Sequence, residues 1–291
     1  MGPGCGTVGA VRRAIAPLLL AGALLLTGCS DPAPAAPAAA PVTTRTVTPT
    51  PTTVTPSGSP SPSLPPPSAA APPVGSGKVV VLDPGHNGGN GSHPAEINRQ
   101  VPAGRGQRKP CNTTGTSTNA GYPEHAFTWD VSQRVGKALV SKGIRVVYTR
   151  QNDTGVGPCV DQRAAIGNDA NADAVVSVHA DGSTAAGANG FHVAYSSPPL
   201  NAAQGEPSTR LAQVVRDTLR SGGFSTSNYI GGNGLSARTD LGGLNLSTRP
   251  TVLVECGNMR NAAEAARMTS EEGRQQYASS IAAAIEAYLA S

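Results

Sequence analysis

At 291 residues the chain is long enough for one or two domains, and its uneven composition leaves room for only one. The formal net charge of +4 falls to +2 once the first 77 residues are set aside, too mild a bias to argue for a nucleic-acid partner.

Residues 1–28 read as a lipoprotein signal peptide. Arg12 and Arg13 precede an apolar run from Leu18 to Leu26 that is too short to span a bilayer as a helix. The run ends in Leu26-Thr27-Gly28-Cys29, which resembles the bacterial lipobox, whose cysteine is lipidated and becomes the mature N-terminus. An ordinary secretory signal with an accidental cysteine is the plainer alternative. Gly4, Gly6 and Gly9 have the spacing of a dinucleotide fingerprint, but no strand precedes them and the segment is one expected to be removed. Residues 29–77 are Pro, Ala, Thr and Ser with only Asp31 and Arg45 charged, and hold fourteen of the 26 prolines. Such a stretch cannot bury enough apolar surface to fold, so it reads as a disordered tether. It would span roughly 40 Å as a flexible coil and about 150 Å as extended polyproline II, lifting whatever follows off a membrane surface.

Residues 78–291 have the size of one α/β domain. A strand is expected over 78–83, then a Gly-, Asn- and Thr-rich insertion over 84–121, long enough to suspect a functional loop. Arg99, Arg105, Arg108 and Lys109 cluster there and could meet an anionic polymer, although a solvated loop is the plainer reading. A helix follows from Glu124 to Lys142, with Phe127, Val131, Val135, Leu139 and Val140 at helical spacing and Gly143 as its stop. Further strands are expected over 144–149, 173–179, 190–195 and 251–256, and helices over 159–170, 207–221, 261–268 and 271–290. The Gly-rich stretch 222–243 is expected to form loops around a site. Strands alternating with helices imply a single α/β domain with a parallel sheet and crossover helices.

Cys5 and Cys29 belong to the leader. Cys111 and Cys159 lie in loops after the first and second strands, whose mouths should open on the same sheet edge, so a disulfide between them is expected. Cys256 follows Glu255 within a strand and should point to the opposite face as a buried free thiol.

Two apolar runs, Val79-Val80-Val81-Leu82-Asp83-Pro84-Gly85-His86 and Ala174-Val175-Val176-Ser177-Val178-His179, deliver histidines where open α/β sheets place their sites. Glu124 opens a helix, and Thr251-Val252-Leu253-Val254-Glu255 brings a carboxylate to the same edge. Taken singly, His86 could be a surface turn residue and His179 a satisfied core histidine. Glu124 could simply favour a helix N-terminus. Glu255 is harder to dismiss, because an ionised carboxylate is costly to bury unless something pairs with it. Two histidines and a glutamate leave a tetrahedral zinc one open position, as catalytic rather than structural sites do.

With those residues the chain resembles the zinc-dependent N-acetylmuramoyl-L-alanine amidases that cut bacterial peptidoglycan. The resemblance covers nearly all of 78–290 and rests on several ordered blocks. These are Leu82-Asp83-Pro84-Gly85-His86, Glu124 with its helix, Val147-Tyr148-Thr149-Arg150 followed by Asp153 and Arg163, and Ser177-Val178-His179-Ala180-Asp181. Gly190-Phe191-His192-Val193 and the run from Leu253 to Asn261 complete it. The chain is most similar to the short actinobacterial members without a separate wall-binding module. Asp181 stands where the family usually has Asn, Cys256 and Asn258-Met259 replace more usual apolar and aromatic residues, and the insertion carries extra glycines and basic residues.

The resemblance implies a twisted, mostly parallel sheet of about six strands with helices on both faces, phosphorylase/hydrolase-like. It further implies one zinc ion per chain on His86, Glu124 and His179, with Glu255 as the catalytic proton carrier. Substrate would be peptidoglycan or muramyl-peptide fragments. His192, Arg238 and Asn245 are candidate substrate contacts, while His125 and His93 are expected second to the metal or at the surface. The protein is expected to be exported, monomeric and anchored through lipidated Cys29 to the outer face of the cell membrane. Two competing readings are a non-catalytic peptidoglycan-binding or activator protein on the same fold and another zinc amide hydrolase.

Overall fold

β-branched runs alternate with helical periodicities from Val79 onward, and the backbone follows that alternation. The structure, a computed structural model, describes residues 77–291, which lie within one compact unit. The expected signal peptide, Cys29 and all but the last residue of the expected tether lie outside the described residues.

Strand β1 (Val79–Pro84) leads into a long excursion holding a 3₁₀ turn (Asn90–Ser92), the one-turn helix α1 (Pro94–Ile97) and a hairpin of β2 (Gln100–Pro102) and β3 (Arg108–Pro110). Then come α2 (Glu124–Ser141), β4 (Arg145–Tyr148), α3 (Val160–Asp169), β5 (Ala174–Asp181), β6 (His192–Ser196) and α4 (Glu206–Ser221). The chain continues through β7 (Leu235–Arg238), α5 (Gly242–Leu246), β8 (Thr251–Asn258), α6 (Ala262–Thr269) and α7 (Glu271–Leu289). Among the described residues, six strands form the main sheet in the order β4-β1-β5-β8-β6-β7. The first four run parallel, while β6 is antiparallel to β8 and parallel to β7.

Period-two alternation gives the sheet two unlike faces. Val80, Leu82, Val176, Val178, Val252 and Val254 point to one face and pack with Phe127, Val131 and Leu139 of α2, Leu211 and Val215 of α4, and Tyr277, Ile281 and Ile285 of α7. Truncating any of these fully buried side chains to alanine would cost about 2–5 kcal/mol. The opposite face carries the small cluster of Val81, Ala172 and Val175 near α3 and leaves Ser177, His179, Leu253 and Glu255 lining a cavity. Cys256, one residue on from Glu255, enters the main core as a free thiol. Cys111 and Cys159 are joined in a disulfide, which buries with Val101 and Val160 in a third small cluster.

Two expectations needed correction. Stretch 222–243 is not all loop, since Leu235–Arg238 forms edge strand β7 and Gly242 begins α5. The insertion after β1 contains its own hairpin rather than loop alone. These segments are three to five residues long, too short for a local pattern to announce them, so packing creates them.

Candidate metal centre

His86 sits just beyond the carboxyl end of β1 in the left-handed region, at φ 59°, an unusual setting for a residue with a Cβ. Two buried arginines hold this turn. Arg163 donates to the carbonyls of Pro84 and His86 and pairs with Asp83 at 2.7 Å. Arg150 donates to the carbonyls of Pro84 and His125 and pairs with Asp153 at 2.9 Å. Thr149 and Ser177 also donate to Asp83. Burial alone would raise the Asp83 pKa, but the Arg163 guanidinium and these donors bring it down to about 2.

Glu124, the first residue of α2, reaches between the two histidines. Its Oε1 lies 3.1 Å from His86 Nε2 and 3.0 Å from His179 Nδ1, and the three candidate ligand atoms all lie within 4.8 Å of one another. The backbone amides of Ala180 and Thr116 donate to Oε1 and Oε2 respectively, fixing the carboxylate plane. His86 Nδ1 lies 3.0 Å from the Thr113 carbonyl, which can only accept, so Nδ1 carries a proton and Nε2, on the Glu124 side, is the nitrogen left for a metal. Metal-ligating histidines are oriented by this kind of contact. Close approach demands two glycines. A Cβ on Gly85 would meet the His179 ring at 2.4 Å, and one on Gly115, whose φ is +77°, would meet Glu124 Oε2 at 2.8 Å.

Burial would raise the Glu124 pKa, yet the imidazoles of His86 and His179 hold it well below the ordinary carboxylate range. Burial opposes charge on His86, and the Glu124 carboxylate outweighs this and raises its pKa. Two imidazole nitrogens and a carboxylate oxygen converging in one spot, with His86 Nδ1 and Glu124 Oε2 already hydrogen-bonded, suit a divalent ion of zinc's chemistry.

Glu255 stands beside this cluster, in register with His179 across the β5–β8 pairing. Its Oε2 is buried and has no hydrogen-bond partner among the described residues. Burial, then the carboxylates of Glu124 and Asp181, raise its pKa well above the usual value against the pull of Arg238. Glu255 and the three candidate ligands line one cavity of about 450 Å³, floored by Val175 and Leu253 and walled by Lys109 of the β2–β3 hairpin and Leu244 of α5. An open polar recess of about 400 Å³, edged by Thr114, His125 and Arg260, adjoins it at Gly115 and Thr116.

The structure thus brings together His86, Glu124, His179 and Glu255. His192, Arg238 and Asn245, expected as substrate contacts, do not line this cavity. The Asn245 amide donates to the carbonyls of Ala103 and Thr239 and accepts from Arg105 and Ser196, so its polar atoms are all committed to packing. Arg238 makes a bidentate pair with Asp240, which itself reaches the cavity wall. His192 is buried behind Glu255. His125 turns to Asp153 at 2.8 Å, away from the cluster, and His93 is exposed. The expected basic cluster is largely spent internally, with Arg99 on Cys159, Arg105 on Asn245 and Lys109 on Asp240. Thr113 and Thr116 escaped the sequence reading because they act through a carbonyl and an amide that every residue possesses.

A mostly parallel sheet with a His–Glu–His cluster and a buried glutamate at its carboxyl edge defines an α/β protein with a candidate catalytic metal centre. The N-acetylmuramoyl-L-alanine amidase family model matches residues 80–287, and the chain belongs to that family of hydrolases. It is 51% identical over 224 residues to the N-acetylmuramoyl-L-alanine amidase Rv3717 of Mycobacterium tuberculosis, covering 77% of this chain and 91% of that one. The crystal structure of the N-acetylmuramyl-L-alanine amidase Ami1 from Mycobacterium abscessus is 54% identical with a TM-score of 0.71, over 73% of this chain and 99% of that one. Ami1 from Mycobacterium smegmatis is 52% identical with a TM-score of 0.72, over 75% and 98%.

Proposed function

We propose that this chain is a zinc-dependent amidase that cleaves the bond between the lactyl carboxyl of N-acetylmuramic acid and the L-alanine of the peptidoglycan stem peptide. The observation that carries the reading is the convergence of His86, Glu124 and His179 with Glu255 one strand away in register. His86, Glu124 and His179 hold one zinc ion per chain. Bound zinc would supply Lewis acidity at the scissile carbonyl and lower the pKa of water towards about 7.

The remaining chemistry belongs to Glu255. Its buried, proton-avid carboxylate takes the proton of the attacking water and passes it to the departing L-alanine amine. No protein nucleophile competes for that role. The sequence has no Gly-x-Ser-x-Gly elbow, and the Cys256 thiol lies in the core on the far face of the sheet. The deep, partly apolar cavity suits a stem peptide, and the open polar recess beside it suits the sugar.

In this reading residues 1–28 are a lipoprotein signal, Cys29 carries the lipid, 29–77 form the tether and 78–291 the catalytic domain. A monomer on the outer face of the membrane would then serve wall remodelling, division or fragment recycling. Among the described residues no helix is long and apolar enough to cross a membrane.

The test incubates the protein with purified peptidoglycan and with a soluble muramyl peptide, and reads products by mass spectrometry. Stem peptides with a free L-alanine amine, abolished by a chelator and restored by zinc, are expected. Acetate or a shortened peptide would redirect the reading to another zinc amide hydrolase. Bound zinc without any product would favour a wall-binding protein.

A further inference from the structure

Glu255 occupies the middle of a row of three side chains. His179 on β5 and His192 on β6 are its register partners on either side, and residues paired in this way project from the same face of a sheet. The His179 side of the row belongs to the metal cluster, while the His192 side has so far been given no task.

His192 is 1% exposed, and its Nδ1 has no hydrogen-bond partner among the described residues. Glu255 Oε2, on the residue directly opposite, is buried and unpartnered as well. Opposed residues of an antiparallel pair hold their Cβ atoms about 4.5–5.5 Å apart; no direct hydrogen bond joins these two side chains, and one water would span them. A buried polar atom left alone costs about 1–3 kcal/mol, so two such atoms on opposed residues, one able to donate and one able to accept, are remedied together by a bridging water.

The protonation state fits. Burial pushes the His192 pKa down to about 4, with Asp181 pulling it up and Arg238 pushing it further down. At neutral pH the ring is uncharged and has one N–H to give. Competing partners are few. Arg238 is turned to Asp240, and the Asp181 carboxylate, whose charge His192 feels, faces the Tyr229 hydroxyl.

We propose that His192 is a positioning residue for Glu255: its Nδ1–H donates through one water to Glu255 Oε2, and turns the other carboxylate oxygen towards the cavity that holds His86, Glu124 and His179. The proposal rests on the reading of Glu255 as the proton carrier and explains why a histidine lies beside Glu255 without lining the cavity of the metal cluster. Losing the contact leaves the base present but free to rotate, so turnover falls while substrate and metal still bind.

The experiment uses the full chain with a soluble muramyl peptide and measures kcat, KM, zinc content and melting temperature for four variants. His192→Phe keeps a ring without polar atoms, His192→Asn places an amide nitrogen near Nδ1, and His192→Gln places one nearer Nε2. His192→Phe is expected to lose kcat roughly 10- to 100-fold, in the range of other contacts that orient active-site groups, with KM and zinc content little changed. His192→Asn should recover most of that loss and His192→Gln should not. A readout independent of turnover comes from ¹⁵N spectra of histidine-labelled protein. His192 should be the Nδ1–H tautomer in the native chain and lose that preference in Glu255→Ala. Native kcat in His192→Phe, equal losses in the Phe and Asn variants, or an Nε2–H tautomer in the native chain would each overturn the proposal. Full turnover by Glu255→Ala would instead bring down the parent reading of Glu255.

Discussion

Glu124 does two jobs that usually fall to different residues: it opens α2, and it lies between two imidazoles. Its carboxylate also receives amides from Thr116 and Ala180, so it is held without depending on a metal, and the histidines converge on it. Glu255 has no main-chain amide on its buried oxygen among the described residues. The contrast separates the roles of these residues in a measurable way. His179→Ala should lose bound zinc and turnover together, whereas Glu255→Ala should keep zinc at the native stoichiometry and lose turnover by several orders of magnitude. Elemental analysis beside an activity assay decides it, and equal zinc content in both variants would overturn the assignment. All four side chains were legible in the sequence because Glu124 opens a helix of clear periodicity and the other three follow strong apolar runs. The Thr113 carbonyl and Thr116 amide were not, since main-chain groups leave no trace in residue identity.

At the scale of elements, the turn after β1 is fastened by groups that come from elsewhere in the chain. Asp83, 16% exposed on its side chain, accepts from Arg163, Thr149 and Ser177, and its pKa drops from the ordinary 3.8 to about 2. A depressed carboxylate stabilises the fold fully above its unfolded value and loses that contribution as pH falls through the folded one. The unfolding free energy of the native chain should therefore decline relative to Asp83→Asn by about 2 kcal/mol between pH 4 and pH 2, and stay parallel to it above pH 4. Denaturant titrations at stepped pH measure the difference, and a constant offset down to pH 2 would show that Asp83 is not held charged. The Cys111–Cys159 bridge fastens the same region, tying the long excursion to the start of α3 across 48 residues of sequence. By loop entropy its loss should cost about 4 kcal/mol, read as a lowered melting temperature in Cys111→Ser with Cys159→Ser, while the distant α2–α7 core stays packed. The pairing was readable from two loops at one sheet edge. Strand β7 was not, because Leu235-Ser236-Ala237-Arg238 is four residues long with no β-branched or aromatic side chain, and it becomes a strand through its pairing with β6.

Over the whole molecule, the two faces of the sheet are built for different ends. One is buried under α2, α4 and α7, and its residues announce themselves as long apolar runs. The other is covered thinly by α3 and α5, so a groove remains between the sheet, the hairpin and α5, with the candidate metal centre at its end. The layered architecture was legible for that reason, while the groove was not: its walls come from short elements brought together by tertiary packing. Gly242 and Gly243 of α5 both line it, yet they differ in freedom. A Cβ on Gly242 would press on Val160 and Ala103 at 3.2–3.3 Å, whereas one on Gly243 would meet nothing within 4 Å. A side chain at 243 therefore has open space before it, in a helix that glycine weakens by roughly 1 kcal/mol relative to alanine. Gly243→Ala should leave stability, zinc content and kinetics near native or slightly raise the melting temperature. Gly243→Phe should keep fold and zinc but raise KM for a soluble muramyl peptide severalfold, because the ring occupies groove volume that the stem peptide needs. Unchanged KM in the Phe variant, with fold and zinc intact, would place the substrate elsewhere, and the polar recess beside Thr116 would become the next surface to block.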